Sequence, residues 1–433
     1  MMRHFTRLIC IGITAFFSGI VYAATFHVSP NDNLQAILNQ TQNGDNVILQ
    51  TGTFFGRFEL SKSIKLTAKN KATIDAQGQG VAITVTQPKT EISNLTIQNF
   101  GESQYSRDAG ILVLDGADSV MIKNNIIRGS SFGIRGDNLD LIKICNNRIM
   151  GNNKIHPLDR GDGIYLNRVK GPYLKGNQIK EVRDGIYLEN VHRSTSINNQ
   201  FSDMQYGIHY MYTWDDKASN NRANHVDGGY ALMNTERIYL HDNHVANAKD
   251  FGILLNMTND ALIENNQVEN TQNPHGEVAL MTEGKGLFIY GAMRNKIKGN
   301  LFKNNDTGIN IAMGGESNQF WLNQLMGNRA QVKYVGEKVL EWSHSGQGNY
   351  WESYDGWDLN NDGIGDIAHR PNDSLDKLFW IYPEAQILLG SPVIKLLRWL
   401  DKQFKPTGNS GINDSYPLMS NTESMLHVGV KHE

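Results

Sequence analysis

The sequence predicts an all-β fold, a right-handed single-stranded parallel β-helix. A glycine followed by alternating apolar residues recurs every 22 residues, at Gly163, Gly185, Gly207 and Gly229. Alternation over four or five residues is typical of a strand. A fixed period of this length is typical of stacked repeats, because one repeat cannot bury its apolar face alone. The expected hand follows from the preference of parallel strands for right-handed connections.

A column of asparagines keeps the same register. Its members are Asn125, Asn147, Asn177, Asn199, Asn221, Asn243, Asn266, Asn300 and Asn323. Asn tolerates the left-handed backbone region and bonds to its own turn. Identical amides on stacked coils can also bond to one another as a ladder. The two columns together predict about ten coils with a period of roughly 22 residues.

Composition and patterning divide the chain into six segments. Residues 1–23 have a basic start, an apolar run and a small-residue cleavage site, which predicts a signal peptide and a periplasmic product. The expected segments after it are an N-terminal cap (24–55), the β-helix (56–335), an aromatic and Asp/Gly-rich C-terminal cap (336–390), an amphipathic helix (391–405) and a polar tail (406–433). Two stretches lengthen single coils, at 152–160 and 272–283, and loops of this kind often lie on a binding face.

Composition also limits the function. The chain has 433 residues and a net charge of −3, so it lacks the basic stripe of a nucleic-acid-binding protein. After removal of the signal peptide Cys145 is the only cysteine, so no internal disulfide is expected. No later stretch is long and apolar enough to predict a transmembrane helix.

Strand alternation predicts a patch on the outside of the tube. Ile208 and Tyr210 point inward, so His209 and Met211 point outward, and Met233 takes the outward place in the next coil. Imidazole and thioether groups together favour copper, and thioethers favour the cuprous ion. The alternative is an aromatic and methionine stripe that docks a partner protein.

Two surfaces are expected to contact partner proteins. Tyr165, Tyr187 and Glu189 take outward places in the coils before His209. Trp399 widens the apolar stripe of the amphipathic helix, which Ser391 and Pro392 are suited to begin. Aromatic side chains are enriched at protein interfaces, so these residues are candidates for docking.

A second candidate metal site lies near residue 360. Asp358, Asn360 and Asp362 are spaced two residues apart, and Asp366 follows at the ninth position. This spacing resembles the first nine positions of a calcium-binding loop. His369 stands where the closing Glu of such a loop would be. The spacing predicts a structural calcium ion, and an ion-free Asp/Asn/Gly-rich turn is the alternative.

An enzyme is the alternative function. Many parallel β-helices act on acidic polysaccharides, and they need carboxylates clustered with Arg, Lys or His in a groove. Asp162 and Asp184 form part of an acidic column, with Arg160 and Arg183 beside them. Turn stabilisation is the role that the sequence favours for these aspartates. A polysaccharide lyase or uronate epimerase is retained as the alternative, since the fold alone does not decide between the two.

The order of the motifs resembles the nitrous oxide reductase maturation family NosD. The resemblance covers about residues 26–400 and rests on GDGIYL, RDGIYLE, YGIHYMYT, ALM, GNYWESYDGWDLNNDGIGD and LLGSPVIKLL. Asp366 is followed by Ile-Ala-His in place of the family's usual Pro-Tyr, which bears on closure of the calcium-like loop. The resemblance implies a periplasmic accessory protein of denitrification that is not an enzyme.

The resemblance also implies the partners. They are an ABC transporter formed by the ATPase NosF and the permease NosY, the copper chaperone NosL, and nitrous oxide reductase. The implied task is assembly of the copper-sulfide centre of that reductase, with copper held transiently. Membrane association is expected through the transporter, with the helix at 391–405 as the contact.

Overall fold

The chain forms a parallel solenoid of strands that is longer than the sequence predicts. A computed structural model describes residues 23–276, 282–334, 336–372, 374–388, 391–404 and 411–421. The solenoid has about 14 turns and a period near 23 residues, against the ten coils expected. The additional turns include the strands between residues 46 and 98, which pair in parallel but carry neither the glycine nor the asparagine column.

Each turn contributes one strand to each of three faces. The first face, which carries the glycine column, contains Phe58–Leu60, Ile83–Val85, Ala109–Val113, Phe132–Asp140, Ile164–Lys170, Asp184–Glu189, the ends of Gln200–Met211 and Arg222–Met233, Phe251–Asn256, Lys285–Ala292, Thr307–Gly314 and Ala330–Tyr334. The second face contains Thr25–Val28, Asn46–Leu49, the starts of Lys65–Asp75 and Glu91–Gln98, Met121–Lys123, Lys143–Cys145, Tyr173–Lys175, Thr195–Ile197, Lys217–Ser219, Tyr239–His241, Leu262–Glu264, Lys296–Lys298 and Gln319–Trp321. The third face contains Gly52–Phe55, the ends of Lys65–Asp75 and Glu91–Gln98, Ile126–Arg128, Arg148–Met150, Gln178–Lys180, the starts of Gln200–Met211 and Arg222–Met233, His244–Ala246, Gln267–Glu269, Leu301–Lys303, Gln324–Met326 and Tyr350–Trp351.

Equivalent apolar side chains stack along the inside of the tube. On the first face Ile186 pairs with Ile208, and both are fully buried. Tyr210 also points inward, as predicted, and is fully buried. The second face places Ser196 and Ala218 at stack positions that other turns fill with leucine or isoleucine. These small residues offset the volume of the tyrosine, as a close-packed core requires.

The asparagine column forms the predicted amide ladder between the second and third faces. The backbone N–H and Nδ2 of Asn199 donate to Oδ1 of Asn221 at 2.9 and 3.0 Å, and Nδ2 also donates to the carbonyl of Leu174. The same pattern runs from Asn125 to Asn349. From Asn125 to Asn323 the left-handed backbone conformation belongs to the residue before each ladder position, such as Asn198 and Asn220.

The N-terminal end is closed by a short helix, as predicted. Leu34–Gln40 is helical, and Asn33 caps it by accepting a hydrogen bond from the backbone N–H of Ala36. Leu34 and Leu38 are buried against the first coils, which shields the open end of the core. The predicted signal peptide, apart from residue 23, lies outside the described residues.

The C-terminal end is closed by a segment that the sequence analysis assigned to the polar tail. The strand Gly411–Asn413 pairs with Val339–Glu341. Asp414, the next residue, accepts a hydrogen bond from the backbone N–H of Asn349 and so ends the amide ladder. Trp351 lies beneath it and is almost fully buried. Residues 411–421, which lie within the predicted polar tail, are therefore part of the solenoid's closure.

Two α-helices, Ser374–Ile381 and Pro392–Phe404, precede this closing segment, with a 3₁₀ helix at Pro383–Leu388 between them. Ser391 caps the second one as predicted, since its Oγ accepts from the backbone N–H of Ile394 at 3.3 Å. Ile394 is buried, whereas Trp399 is exposed. Within the described ranges no helix has the length and apolar character needed to cross a membrane.

Candidate functional site

The candidate site lies on the outside of the first face, where neighbouring strands bring the predicted residues together. Tyr187 is the register partner of His209 on the next strand. Glu189 pairs with Met211, and Met211 pairs with Met233. Strand register thus confirms that Met211 lies beside Met233, whereas the partner of His209 on the following strand is Ala231. The metal site formed by His209, Met211 and Met233 stays a prediction.

His209 is fixed by its surroundings on three sides. Its ring stacks on Tyr187 with a centroid distance of 4.4 Å, and Tyr206 meets it edge-on at 5.3 Å. Its Nδ1 lies 2.9 Å from Oδ2 of Asp184. The residue is only 9% exposed, and its Nε2 is buried without a hydrogen bond to any part of the chain that the structure describes. A carboxylate that accepts Nδ1–H leaves the Nε2 lone pair available, as in many metal-binding histidines.

Asp184, Asp162 and Arg183, which the sequence places in one acidic column, form a buried ionic cluster that also contacts His209. The guanidinium of Arg183 donates to both carboxylate oxygens of Asp162, at 2.9 and 2.8 Å, and lies 3.9 Å from Asp184. Asp162 is fully buried. Burial, together with the neighbouring Asp184 carboxylate, raises the pKa of Asp162 to about 7. The two aspartates therefore do more than stabilise turns, because they position Arg183 and His209 as one network.

The strands that follow His209 in the stack carry an apolar cluster on the outside of the first face. Ala231, Phe251 and Leu254 are buried there, and Tyr206 and Met233 pack against them. Tyr206 thus contacts both the apolar cluster and the imidazole. This packing keeps water away from one side of the site, which strengthens its electrostatic interactions.

The strands that precede His209 in the stack carry the predicted docking residues Tyr165, Tyr187 and Glu189. The Tyr165 hydroxyl donates to Oε2 of Glu189 at 2.5 Å. Arg135 lies over the Tyr165 ring at 4.5 Å and is paired with Asp137. Burial, followed by the Glu189 carboxylate, raises the pKa of Tyr165. These contacts hold Tyr165, Tyr187 and Glu189 in a half-buried row, and their docking role stays a prediction.

The two lengthened coils lie at the glycine end of this face. In the first, Pro157–Asp159 forms a 3₁₀ helix, and the following Arg160 is buried and donates to the carbonyl of Asp203. In the second, Glu283 forms a buried ion pair with Lys333 at 2.9 Å. Both inserted stretches therefore attach to the face that carries the candidate site.

Comparison with known proteins identifies the family to which this chain belongs. Residues 152–356 match the model described as periplasmic copper-binding protein (NosD). A probable ABC transporter binding protein NosD from Stutzerimonas stutzeri is 38% identical over 382 residues, which is 87% of this chain and 88% of the relative. A protein of the same description from Pseudomonas aeruginosa is 38% identical over 373 residues, 86% of this chain and 87% of the relative. The chain belongs to the NosD family.

Fold comparisons agree with the architecture. Residues 58–170 of this NosD-family chain match the right-handed β-helix region model, in line with the predicted hand. The tailspike protein of Dettilon superposes with a TM-score of 0.54 at 17% identity, covering 71% of this chain and 68% of the tailspike. That likeness concerns the fold alone. Family members are described as binding proteins, and the family description places them in the periplasm.

The donor set suits copper better than a harder ion. Throughout the described ranges no group of three or more His, Cys, Asp and Glu side chains is placed to hold a metal. A metal at the candidate site would depend on thioether sulfur from Met211, two residues after His209 on the same strand, and from Met233, the register partner of Met211. Sulfur and imidazole ligands of this kind match the cuprous ion.

The calcium-like loop is folded by its own hydrogen bonds. Asp358 accepts from the backbone N–H groups of Asp362 and Gly363, and Asp366 accepts from that of Leu359. The side-chain amide of Asn360 donates to Asp362. These contacts are those of a hydrogen-bonded turn, and calcium binding stays a prediction.

His369 does not serve as the closing residue of that loop. Its ring packs against Trp351 and Tyr354 at centroid distances of 5.0 and 5.5 Å. Its backbone pairs with Asp414 of the closing segment. Burial lowers the pKa of His369 to about 4. The residue therefore belongs to the C-terminal closure.

Proposed function

We propose that this chain is a periplasmic maturation factor for nitrous oxide reductase that holds copper in transit to the copper-sulfide centre. Its partners in this proposal are the transporter formed by NosF and NosY, the chaperone NosL and the reductase itself. Membership of a family described as copper-binding and transporter-binding supports the proposal. Residue-level support for copper comes from His209, whose Nε2 is buried without a partner while Nδ1 is held by Asp184.

Copper is the cargo in this proposal, and the chain's own groups position it. Asp184 accepts a hydrogen bond from Nδ1–H of His209, which leaves the basic Nε2 as the atom that would bind the ion. Arg183 and Asp162 hold Asp184 in place. All the ligands are then neutral, which suits a monovalent ion that must later be released. Half-burial of Met211 and Met233 leaves their thioethers within reach of a docked donor or acceptor protein.

The proposal also includes export to the periplasm and a contact with the permease at the membrane surface. Residues 1–23 would direct export and then be removed. The helix Pro392–Phe404 exposes Val393, Leu396 and Trp399, with exposed fractions of 64%, 55% and 55%. An apolar row of this kind on a helix suits a groove in a partner protein. We therefore assign this helix as the contact with the permease at the membrane surface.

A competition titration tests the copper site. Mature protein is titrated with cuprous ion against bicinchoninate without oxygen, and the His209→Gln variant is compared with it. We expect the variant to bind copper at least about tenfold more weakly, since a neutral amide is a poorer ligand than imidazole. His244→Gln is the matched control, because His244 lies on the third face and pairs with Glu269. Equal affinities for His209→Gln and the unaltered protein would overturn the copper assignment.

Two further experiments test the partners and the alternative function. Deleting 392–404 should abolish co-purification with the transporter, and full retention would refute the helix contact. Reductase matured beside the His209→Gln variant should contain less copper than reductase matured beside the unaltered chain. The polysaccharide-active alternative is less supported, because Asp162 and Asp184 are buried beneath the surface that a polymer could reach. Unsaturated or epimerised products from uronate polymers would favour it.

A further inference from the structure

A second group of methionines lies on the same edge of the solenoid. Met257, Met293 and Met313 fall in three successive turns, where the first face ends and the chain bends towards the second. Their exposed fractions are 47%, 45% and 45%. A single exposed apolar residue needs no explanation, but three in consecutive turns at one corner form a patch.

Two of these side chains converge over a glycine. Met257 donates its backbone N–H to the carbonyl of Tyr290, so Gly291 stands directly above Met257 in the next turn. Gly291 has a φ of +63°, in the left-handed region. A Cβ placed on it would lie 3.0 Å from Cε of Met313 and 3.6 Å from Cγ of Met257. The space that a side chain would fill is thus occupied from both sides by the two methionines.

The strand ladder is irregular at this point. Tyr290 pairs with Met313, where an even register would pair it with Ala312. Local irregularities of this kind re-aim side chains and are frequent beside functional sites. The irregular pairing and the missing side chain at Gly291 are independent features, and both bring Met313 towards Met257.

We propose that Met257 and Met313, with Met293 beside them, bind a second cuprous ion. This inference rests on the proposed function, in which copper is the cargo, and it adds a second copper-binding site to the one at His209. Met211 pairs with Met233, Met233 pairs with Asn256, the residue before Met257, and each turn advances about 4.8 Å. The second site therefore begins one turn beyond the first, and copper can pass along the edge in short steps.

The chemistry of the patch suits this ion. Thioethers are soft, neutral ligands that favour cuprous copper over divalent ions. The nearest cationic neighbour in sequence, Arg294, is paired with Asp260 at 2.7 Å, so its positive charge is compensated. Half-exposed sulfur atoms can exchange an ion with a docked protein, and they can also serve as an adaptable docking surface with no metal. The test separates these two roles.

The experiment exploits the similar size of Met and Leu. The Met257→Leu/Met293→Leu/Met313→Leu variant keeps the apolar volume but removes the sulfur, at a small cost in stability. Mature protein and variant are titrated with cuprous ion against bicinchoninate without oxygen. We expect two bound equivalents in the unaltered protein and one in the variant. Met419→Leu, an exposed methionine in the C-terminal closure, should retain both.

The outcomes distinguish this inference from the proposed function. His209→Gln should lose one equivalent, and combining it with the three leucine substitutions should lose both. Loss of an equivalent on the leucine substitutions alone would support the second site even if His209→Gln changed nothing. Retention of both equivalents by the leucine variant would overturn the second site and leave docking as the role of the patch. Normal circular dichroism of each variant confirms that folding is intact.

Discussion

Replacing Asp414 by Ala is expected to release the C-terminal closure of the solenoid. Asp414 is fully buried, and its Oδ2 accepts hydrogen bonds from the backbone N–H of Asn349 and from Nε1 of Trp351, both at 2.7 Å. Its Oδ1 accepts from the backbone N–H of Tyr416. One carboxylate therefore joins the closing segment, the last ladder asparagine and the core tryptophan.

The size of the effect follows from these contacts. A hydrogen bond to a charged group contributes about 1.5–3 kcal/mol, and each buried donor left without a partner costs about 1–3 kcal/mol. Burial raises the pKa of Asp414, so the cost of burying the carboxylate offsets part of this stabilisation. A loss of about 3 kcal/mol in the free energy of opening the closure is the expected net result.

Tryptophan fluorescence measures this opening directly. Trp342 and Trp351 are each 1% exposed, so release of residues 411–421 shifts their emission to longer wavelength. In urea, the fluorescence transition of Asp414→Ala should move to lower concentration, while the circular dichroism transition of the solenoid moves less. Asp414→Asn keeps one acceptor oxygen and should show a smaller shift. Coincident fluorescence transitions for the unaltered protein and Asp414→Ala would contradict this role of Asp414 in the closure.

Three other predictions concern the ladder, the site and the effect of pH. Asn221→Ala removes four buried hydrogen bonds and should lower the free energy of unfolding, measured in urea, by about 3–4 kcal/mol. The control is Asn224→Ala at an exposed position, which should change this free energy by about 0.5 kcal/mol or less. Asp184→Asn should weaken cuprous-ion binding by about 10- to 100-fold in the bicinchoninate titration, and unchanged affinity would contradict the role of the carboxylate. Burial lowers the pKa of His369 from 6.5 to about 4, so below pH 6.5 the unfolded state binds a proton that the folded state does not. The free energy of unfolding should therefore decrease by about 2–3 kcal/mol as the pH falls from 6.5 to 4. Melting temperature against pH should therefore flatten in His369→Gln, and an unchanged slope would contradict the assignment.

The solenoid and the neighbours of His209 could be predicted because both depend on a period. Once the 22-residue repeat is recognised, strand register alone places Met211 beside Met233. The same argument places Tyr187 beside His209. Alternation also predicted correctly that Tyr210 points inward. The early turns were undercounted because their strands carry neither recurring residue, so only their pairing reveals them.

The remaining features depend on contacts that no period encodes. Asp184 and His209 occupy different register positions, since the partner of Asp184 on the next strand is Tyr206, so the repeat does not predict their contact. The period does place Asp162 next to Asp184, but it does not predict the hydrogen bonds from Arg183 to Asp162. Asp414 contacts Asn349, which lies 65 residues earlier in the chain, and no repeat in the sequence predicts this contact. The space over Gly291 likewise follows from three turns taken together.

X-ray absorption at the copper edge tests whether His209, Met211 and Met233 bind the cuprous ion. Cuprous ion is loaded at one equivalent onto mature protein that carries the Met257→Leu/Met293→Leu/Met313→Leu substitutions, so that only the His209 site is available. We expect a first shell with one nitrogen from His209 and sulfur from Met211 and Met233, and loss of the nitrogen in His209→Gln. A shell without sulfur, or a spectrum that His209→Gln leaves unchanged, would contradict it.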